Sequence, residues 1–199
     1  MVKIKICGIR RMEDIEIVNR YMPDYIGFVF AESRRKVSHD EALKLKNNLH
    51  PDIISTGVFV DADEDEILSL YRRGIIDAAQ LHGSESEEFI LNLKEKTNYK
   101  LKIINAIEIR KGTDVTEHDT SHADYLLFDS GKGSGKTFDW NLIKKNLKKE
   151  FFLAGGLDAS NITQAIDEFH PYAVDLSSSL ETDGFKDENK IKEIMEVIC

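Results

Sequence analysis

Cysteine is scarce in this chain. Cys7 and Cys199 stand at opposite ends of 199 residues, which suits neither a disulfide framework nor a metal site built from paired thiolates. Long apolar runs are also missing. None approaches the roughly 18 residues that span a bilayer, and the opening Val2-Lys3-Ile4-Lys5-Ile6 lacks the apolar stretch of a signal peptide. The expectation is a cytoplasmic protein without a membrane partner. Positive charge is in deficit, with 27 Lys and Arg against 36 Asp and Glu and a formal net charge of −9. Nucleic-acid binding relies on clustered Lys and Arg that release counterions, so that class of partner is excluded. What is present is ordinary globular material, 41% hydrophobic and 32% charged, enough to build a substantial core. With no linker, low-complexity tract or shift in composition, a single domain over 1–199 is predicted.

Periodicity supplies the organisation. Residues 2–7 alternate apolar and polar and stop at Gly8, and 24–30 form a nearly continuous apolar run of the kind buried on both faces of a parallel sheet. Similar strand candidates recur at 53–60, 78–81, 100–106, 124–128, 151–154 and 173–176. Helices fit between them at 12–21, 64–73, 87–96, 140–147, 161–169 and 187–197. Another opens at Ser38, where Glu41 three residues on gives a capping-box spacing, and runs toward Leu49. Only 109–122 is polar and without clear period. Eight strand units in 199 residues leave about 25 residues each, near the lower size limit of the (β/α)8 barrel. Strands alternating with helices mean a parallel sheet with right-handed crossovers. No Gly-x-Gly-x-x-Gly follows the first strand, so a closed α/β TIM barrel of eight parallel strands is predicted over an open doubly wound sheet.

Barrel chemistry sits at the C-terminal ends of the strands. Those positions carry Cys7 and Gly8, Ser33 to Arg35, Asp61, Gln80 with His82 and Gly83, Asp129, Gly155 with Gly156, and Asp175 with Ser177 to Ser179. Each has an ordinary structural reading as well. A lone strand-end cysteine often serves as a small buried hydrophobe, His82 as a loop histidine, Asp129 as a cap or a partner of Lys136, and Asp61 as the N-cap of the helix that follows. Lys144 to Lys149 reads as a solvated face, and His118 with His122 lacks the further ligands of a metal site. Two glycine- and serine-rich loops, Leu153 to Leu157 and Asp175 to Ser179, are more telling. They follow the seventh and eighth strands, where barrels commonly build phosphate sites from backbone N–H groups and a helix N-terminus. A phosphorylated small molecule is the expected ligand.

Gly131 to Thr137 imitates a P-loop, but the spacing Gly-x-x-x-x-Gly-Lys-Thr requires glycine at position 130, which is Ser130. Nucleotide hydrolysis is therefore set aside.

Taken in order, Lys5-Ile6-Cys7-Gly8, Tyr25-Ile26-Gly27-Phe28-Val29-Phe30, Ser33-x-Arg35-x-Val37, Gln80-Leu81-His82-Gly83, Phe128-Asp129-Ser130, Gly133 to Trp140, Ala154-Gly155-Gly156-Leu157 and Asp175-Leu176-Ser177-Ser178 closely resemble the phosphoribosylanthranilate isomerases of tryptophan biosynthesis. The resemblance runs from Lys5 to about Lys190 and implies an Amadori rearrangement that needs no cofactor or metal. It implies Cys7 as general base and Asp129 as general acid, with Arg35 near the anthranilate carboxylate. The glycines Gly155 and Gly156 and the serines Ser177 and Ser178 fall on the phosphate, and His82 and Asp175 are expected to contact the rest of the substrate. The residue types suit the chemistry. An ordinary thiol is only a few per cent thiolate at neutral pH, so a cysteine base needs a lowered pKa or acts from a minority state. A carboxyl group that donates a proton needs apolar or carboxylate-rich surroundings. Arginine can hold a carboxylate through two parallel hydrogen bonds.

Two other readings make different demands. The sister isomerase of histidine biosynthesis uses aspartate where this chain has Cys7 and is longer, with two phosphate sites. A non-catalytic phosphoribosyl-binding module would have no need of both Cys7 and Asp129. Relatives read Ser-Ser-Gly where this chain has Ser177-Ser178-Ser179, which predicts some strain at Ser179 if its φ is positive. They read Gly-Gly-Thr-Gly where it has Lys132-Gly133-Ser134-Gly135. Either a monomer or a homodimer is compatible with the sequence.

Overall fold

A computed structural model describes residues 2–110, 113–129 and 147–198. Eight parallel strands pair in sequence order: β1 (Lys3–Cys7), β2 (Tyr25–Val29), β3 (Ile54–Phe59), β4 (Ala78–Leu81), β5 (Lys102–Glu108), β6 (Tyr125–Asp129), β7 (Phe151–Leu153) and β8 (Ala173–Leu176). β8 returns to β1, with Lys5 beside Asp175, and closes the predicted barrel. Helices α1 (Met12–Tyr21), α2 (His39–Lys46), α3 (Glu64–Arg72) and α4 (Glu87–Lys96) link the first five strands. α5 (Ile162–Phe169) joins β7 to β8, and α6 (Glu188–Ile198) follows the last strand. A short 3-10 helix at Val115–Thr120 fills the connection that shows no period in the sequence. The helix expected over 140–147 falls, Leu147 apart, outside the described residues, as does the P-loop-like segment. No helix among the described residues is long and apolar enough to cross a membrane.

Side-chain alternation divides the core in two. Ile4, Ile6, Ile26, Phe28, Ala79, Leu81, Leu126, Phe128, Val174 and Leu176 point outward into the large cluster under the helices. Their neighbours Tyr25, Ile104, Ala106, Leu127, Phe152, Ala154 and Ala173 fill a smaller cluster inside the barrel. At the N-terminal end this interior is plugged by aromatic rings, Tyr25 edge-on to Phe152 at 5.4 Å and Tyr125 stacked on Tyr172 at 4.6 Å. The same end is stitched by three aspartates that precede β2, β4 and β6. Asp24, Asp77 and Asp124 each accept the backbone N–H of a neighbouring odd strand, from Ile4, Ser55 and Ile103, each at 2.9 Å.

Three local features depart from the sequence reading. Asp61 does not cap α3. Its φ is +50°, its Oδ1 accepts the N–H of Ser84 at 2.6 Å, and Asp63 holds the N-cap position. The helix opened by Ser38 and Glu41 has the predicted capping box but ends at Lys46, before Leu49. Beyond β8 the chain forms a second small sheet, β9 (Glu181–Thr182) against β10 (Phe185–Lys186). Asp183 and Gly184 at its tip both have positive φ, the requirement of a two-residue hairpin turn matched to strand twist.

Candidate active site

Period-2 alternation carries inward-facing positions up each strand to the C-terminal mouth. There Cys7, Val29, Val58, Gln80, Glu108, Leu127, Asp129, Ala154 and Asp175 surround a cavity of about 570 Å³. Loop residues complete its rim, among them Ser33, Arg35, His82, Gly155, Gly156, Ser177 and Ser178. All nine sequence-predicted site residues line this one cavity, although they come from six different strands and their loops.

Cys7 ends β1 directly beside Gly27 of β2. A Cβ on Gly27 would lie 2.7 Å from the Cys7 sulfur, so glycine there makes the space the thiol occupies. Burial pushes the Cys7 thiol upward, and the negative charge of Asp175 adds to that. Lys5, Lys186 and Arg35 work against it. Beneath the thiol, Lys5 is 0% exposed and its Nζ lies 2.7 Å from Asp175 Oδ2. The other carboxylate oxygen, Asp175 Oδ1, is buried without a hydrogen-bond partner.

Arg35 reaches the rim from the loop after β2. Gly8, with φ of +87°, makes room for it, since a Cβ would sit 2.5 Å from Arg35 Cδ. Its guanidinium is held bidentately by Glu181, Nε to Oε1 at 2.6 Å and Nη2 to Oε2 at 2.9 Å. Arg34 adds a bond to Oε2 at 3.0 Å, and Lys186 donates to Oε1 at 3.1 Å and to the Ser177 carbonyl at 2.9 Å. Burial works against the Glu181 charge, but the bonds and charges of Arg35 and Lys186 hold its carboxyl below the ordinary range. For Lys186, burial outweighs Glu181 and lowers the ammonium.

On the opposite wall, Gln80 and His82 meet side by side, Gln80 Nε2 to His82 Nδ1 at 3.3 Å. His82 Nε2 lies 3.6 Å from Asp129 Oδ2. Glu108 is the register partner of Asp129, so a second carboxylate residue lies beside it on β5. Between the two walls run the phosphate-type loops. Gly155 and Gly156 have φ of +86° and +68°, backbone states that glycine adopts without strain. Ser177 Oγ donates to the Cys7 carbonyl at 3.2 Å, and Ser178–Leu180 forms one turn of 3-10 helix with Ser178 and Ser179 lining the cavity. Ser179 sits inside that turn and is absent from the positive-φ residues, so the strain expected there does not arise.

Sequence reasoning gave no role to Lys5, Glu181 or Lys186. A signal for Lys5 was available, because residues two apart on a strand share a face. If Cys7 points into the barrel, so does Lys5, and a lysine inside a barrel requires a buried anion. Glu181 and Lys186 carried no comparable signal, since their burial depends on the hairpin. Of the histidines set aside as metal ligands, His122 pairs with Glu87 through Nδ1 at 3.1 Å.

A closed parallel barrel whose C-terminal mouth gathers a thiol, carboxylates, an arginine and two glycine- and serine-rich loops around one cavity defines a (β/α)8-barrel enzyme. The family model for "N-(5'phosphoribosyl)anthranilate (PRA) isomerase" matches residues 4–197. An N-(5'-phosphoribosyl)anthranilate isomerase of Clostridium acetobutylicum is 45% identical, the match covering 98% of this chain and 97% of that one. Among solved structures, the phosphoribosyl anthranilate isomerase of Thermus thermophilus superposes with a TM-score of 0.89 at 29% identity, covering 99% and 98% of the two chains. Another phosphoribosyl anthranilate isomerase, solved with reduced 1-(o-carboxyphenylamino)-1-deoxyribulose 5-phosphate, gives a TM-score of 0.86 at 32% identity, covering 98% and 97%. The chain belongs to the phosphoribosylanthranilate isomerase family.

Proposed function

We propose that this chain converts N-(5-phosphoribosyl)anthranilate to 1-(2-carboxyphenylamino)-1-deoxyribulose 5-phosphate in tryptophan biosynthesis, with Cys7 as general base and Asp129 as general acid. One observation carries the assignment of roles. Cys7 and Asp129 both enter the same cavity, from strands three apart around the barrel, with the two phosphate-type loops between them. The cavity, about 570 Å³, falls in the range that encloses a small organic ligand.

The reaction needs two proton transfers on opposite sides of the sugar. Asp129 delivers a proton to the furanose ring oxygen as the C1–O bond breaks, and the anthranilate nitrogen lone pair forms the C1=N bond of an iminium. That positive charge acidifies the C2 hydrogen. Cys7, as thiolate, removes it, and the C2–H electron pair forms a C1=C2 enolamine while neutralising the nitrogen. Tautomerisation then gives the ketone at C2. Each positioned acid or base contributes on the order of 100-fold to 10,000-fold. The ligand's phosphate sits against Gly155, Gly156, Ser177 and Ser178, where loop N–H groups and a helical N-terminus favour an anion. Arg35 meets the anthranilate carboxylate. Glu181 engages only Nε and Nη2, which leaves Nη1 able to donate. His82 and Asp175 hold the sugar hydroxyls. An acidic protein thus binds a phosphate and a carboxylate through local groups.

Fluorescence of the anthranilate substrate disappears on conversion. Purified protein is expected to consume the substrate catalytically, and protein that binds a reduced product analogue without turnover would instead be a phosphoribosyl-binding module.

A further inference from the structure

Directly below the thiol lies a charged group for which the two proton transfers have no role. Lys5 is wholly buried, shares the inward face of β1 with Cys7, and is ion-paired to Asp175 Oδ2 at 2.7 Å. Burying an ammonium this deeply carries a desolvation cost that is recovered only by good geometry to an anion. Where an apolar pair would fill the barrel as well, the ion pair calls for a reason. Asp175, which lines the cavity, spends one oxygen on Lys5 and keeps Oδ1 buried and unpartnered.

We propose that Lys5 is a positioning residue for the isomerisation: its ammonium fixes Asp175 so that Oδ1 is presented to a ligand hydroxyl, and it supplies the cation beside which Cys7 becomes a thiolate. This rests on the reading of Cys7 as base and deepens it. The groups facing Cys7 are Lys5 from its own strand, Asp175 from β8, Lys186 from β10 and Arg35 from the loop after β2. Across the cavity stand Glu108, Asp129 and His82. Lys186 and Arg35 both spend hydrogen bonds on Glu181. Lys5 is the cation that shares the thiol's face of β1, and Asp175 offsets it while the thiol is neutral. When the proton leaves, Lys5 lies between two anions and stabilises both. The two residues therefore act on the thiol with opposite sign.

That opposition gives the test. In a Cys199→Ser background only Cys7 can react with iodoacetamide, and its alkylation rate against pH reports thiolate formation without reference to catalysis. For Lys5→Met the alkylation midpoint is expected to rise by one pH unit or more. The kcat then falls about tenfold at pH 7 and recovers as pH is raised, because each unit of thiol pKa is a tenfold change in thiolate. For Asp175→Asn the midpoint is expected to fall, while KM rises through loss of the hydroxyl contact. A folded Lys5→Met protein, checked by circular dichroism, with an unmoved midpoint would overturn the proposal. So would a loss of kcat that is equal at every pH. Should Lys5→Met fail to fold, Asp175→Asn decides alone, since an unchanged or raised midpoint contradicts the proposed opposition. Failure of the base assignment looks different: Cys7→Ser would then keep its turnover, whatever the alkylation profiles show.

Discussion

Glu181→Gln is the substitution that most fully tests how the rim is held together. The Glu181 side chain is 4% exposed and accepts bonds from Arg35, Arg34 and Lys186. Gln keeps the shape and one acceptor oxygen, loses the charge, and leaves Lys186 buried beside a neutral amide. Rupture of a buried ion pair costs about 3–5 kcal/mol, and one hydrogen bond to a charged group about 1.5–3. With one acceptor retained, a loss of about 2–3 kcal/mol is expected, against about 5–15 for a typical domain. At roughly 2–4 °C per kcal/mol for a chain of this length, Tm falls by about 4–12 °C. Function should respond separately. Arg35, no longer fixed at two atoms, binds the substrate carboxylate less well, so KM rises about tenfold, equivalent to 1.4 kcal/mol, while kcat changes little. The sign of the pH dependence follows from the lowered carboxyl. A carboxylate depressed in the folded state stabilises above its unfolded pKa of about 4.3, and that contribution is lost as pH falls through the folded value. The gap in stability between parent and variant is therefore largest near neutrality and closes in acid. Urea unfolding at pH 7 and pH 3, with steady-state kinetics at pH 7, measures all three effects. Equal stability at pH 7 together with an unchanged KM would refute the reasoning.

Other substitutions probe the thiol and the barrel base. Gly27→Ala places a Cβ 2.7 Å from the Cys7 sulfur and 3.1 Å from its Cα. Overpacking of this kind costs about 1–3 kcal/mol, and displacement of the base should lower kcat at least tenfold with the circular dichroism spectrum retained. Asp124 is held below the ordinary carboxylate range: burial opposes its charge, but the Ile103 N–H, Lys94 and Lys102 more than compensate. Asp124→Asn should destabilise at pH 7 in thermal unfolding, with the difference from the parent shrinking as pH falls through the lowered folded-state pKa of Asp124.

The barrel was legible because its two periods are strong. Runs such as Tyr25 to Val29 are buried on both faces, and the capping box at Ser38 and Glu41 marked a helix start that the structure has. The members of the site were legible for a related reason. Once strands were placed, their C-terminal ends named Cys7, Asp129 and Asp175 without any knowledge of contacts. Asp61 was misread because an aspartate before a helical run looks like a cap. Its actual partner, the Ser84 N–H, lies 23 residues away in the chain. Glu181 and Lys186 were invisible for the same reason. A polar, glycine-containing stretch of six residues gives no sign that its charges fold back under Arg35. Burial of charge is a tertiary property, and local pattern reports it only where, as at Lys5, the strand period already fixes which way the side chain points.

The central claim is that Cys7 and Asp129 divide the two proton transfers between them. Turnover of phosphoribosylanthranilate by Cys7→Ser and Asp129→Asn, followed by the loss of substrate fluorescence, tests it most directly. Each variant is predicted to stay folded and to lose kcat by at least about 100-fold. Near-parental kcat in either would contradict the role assigned to that residue.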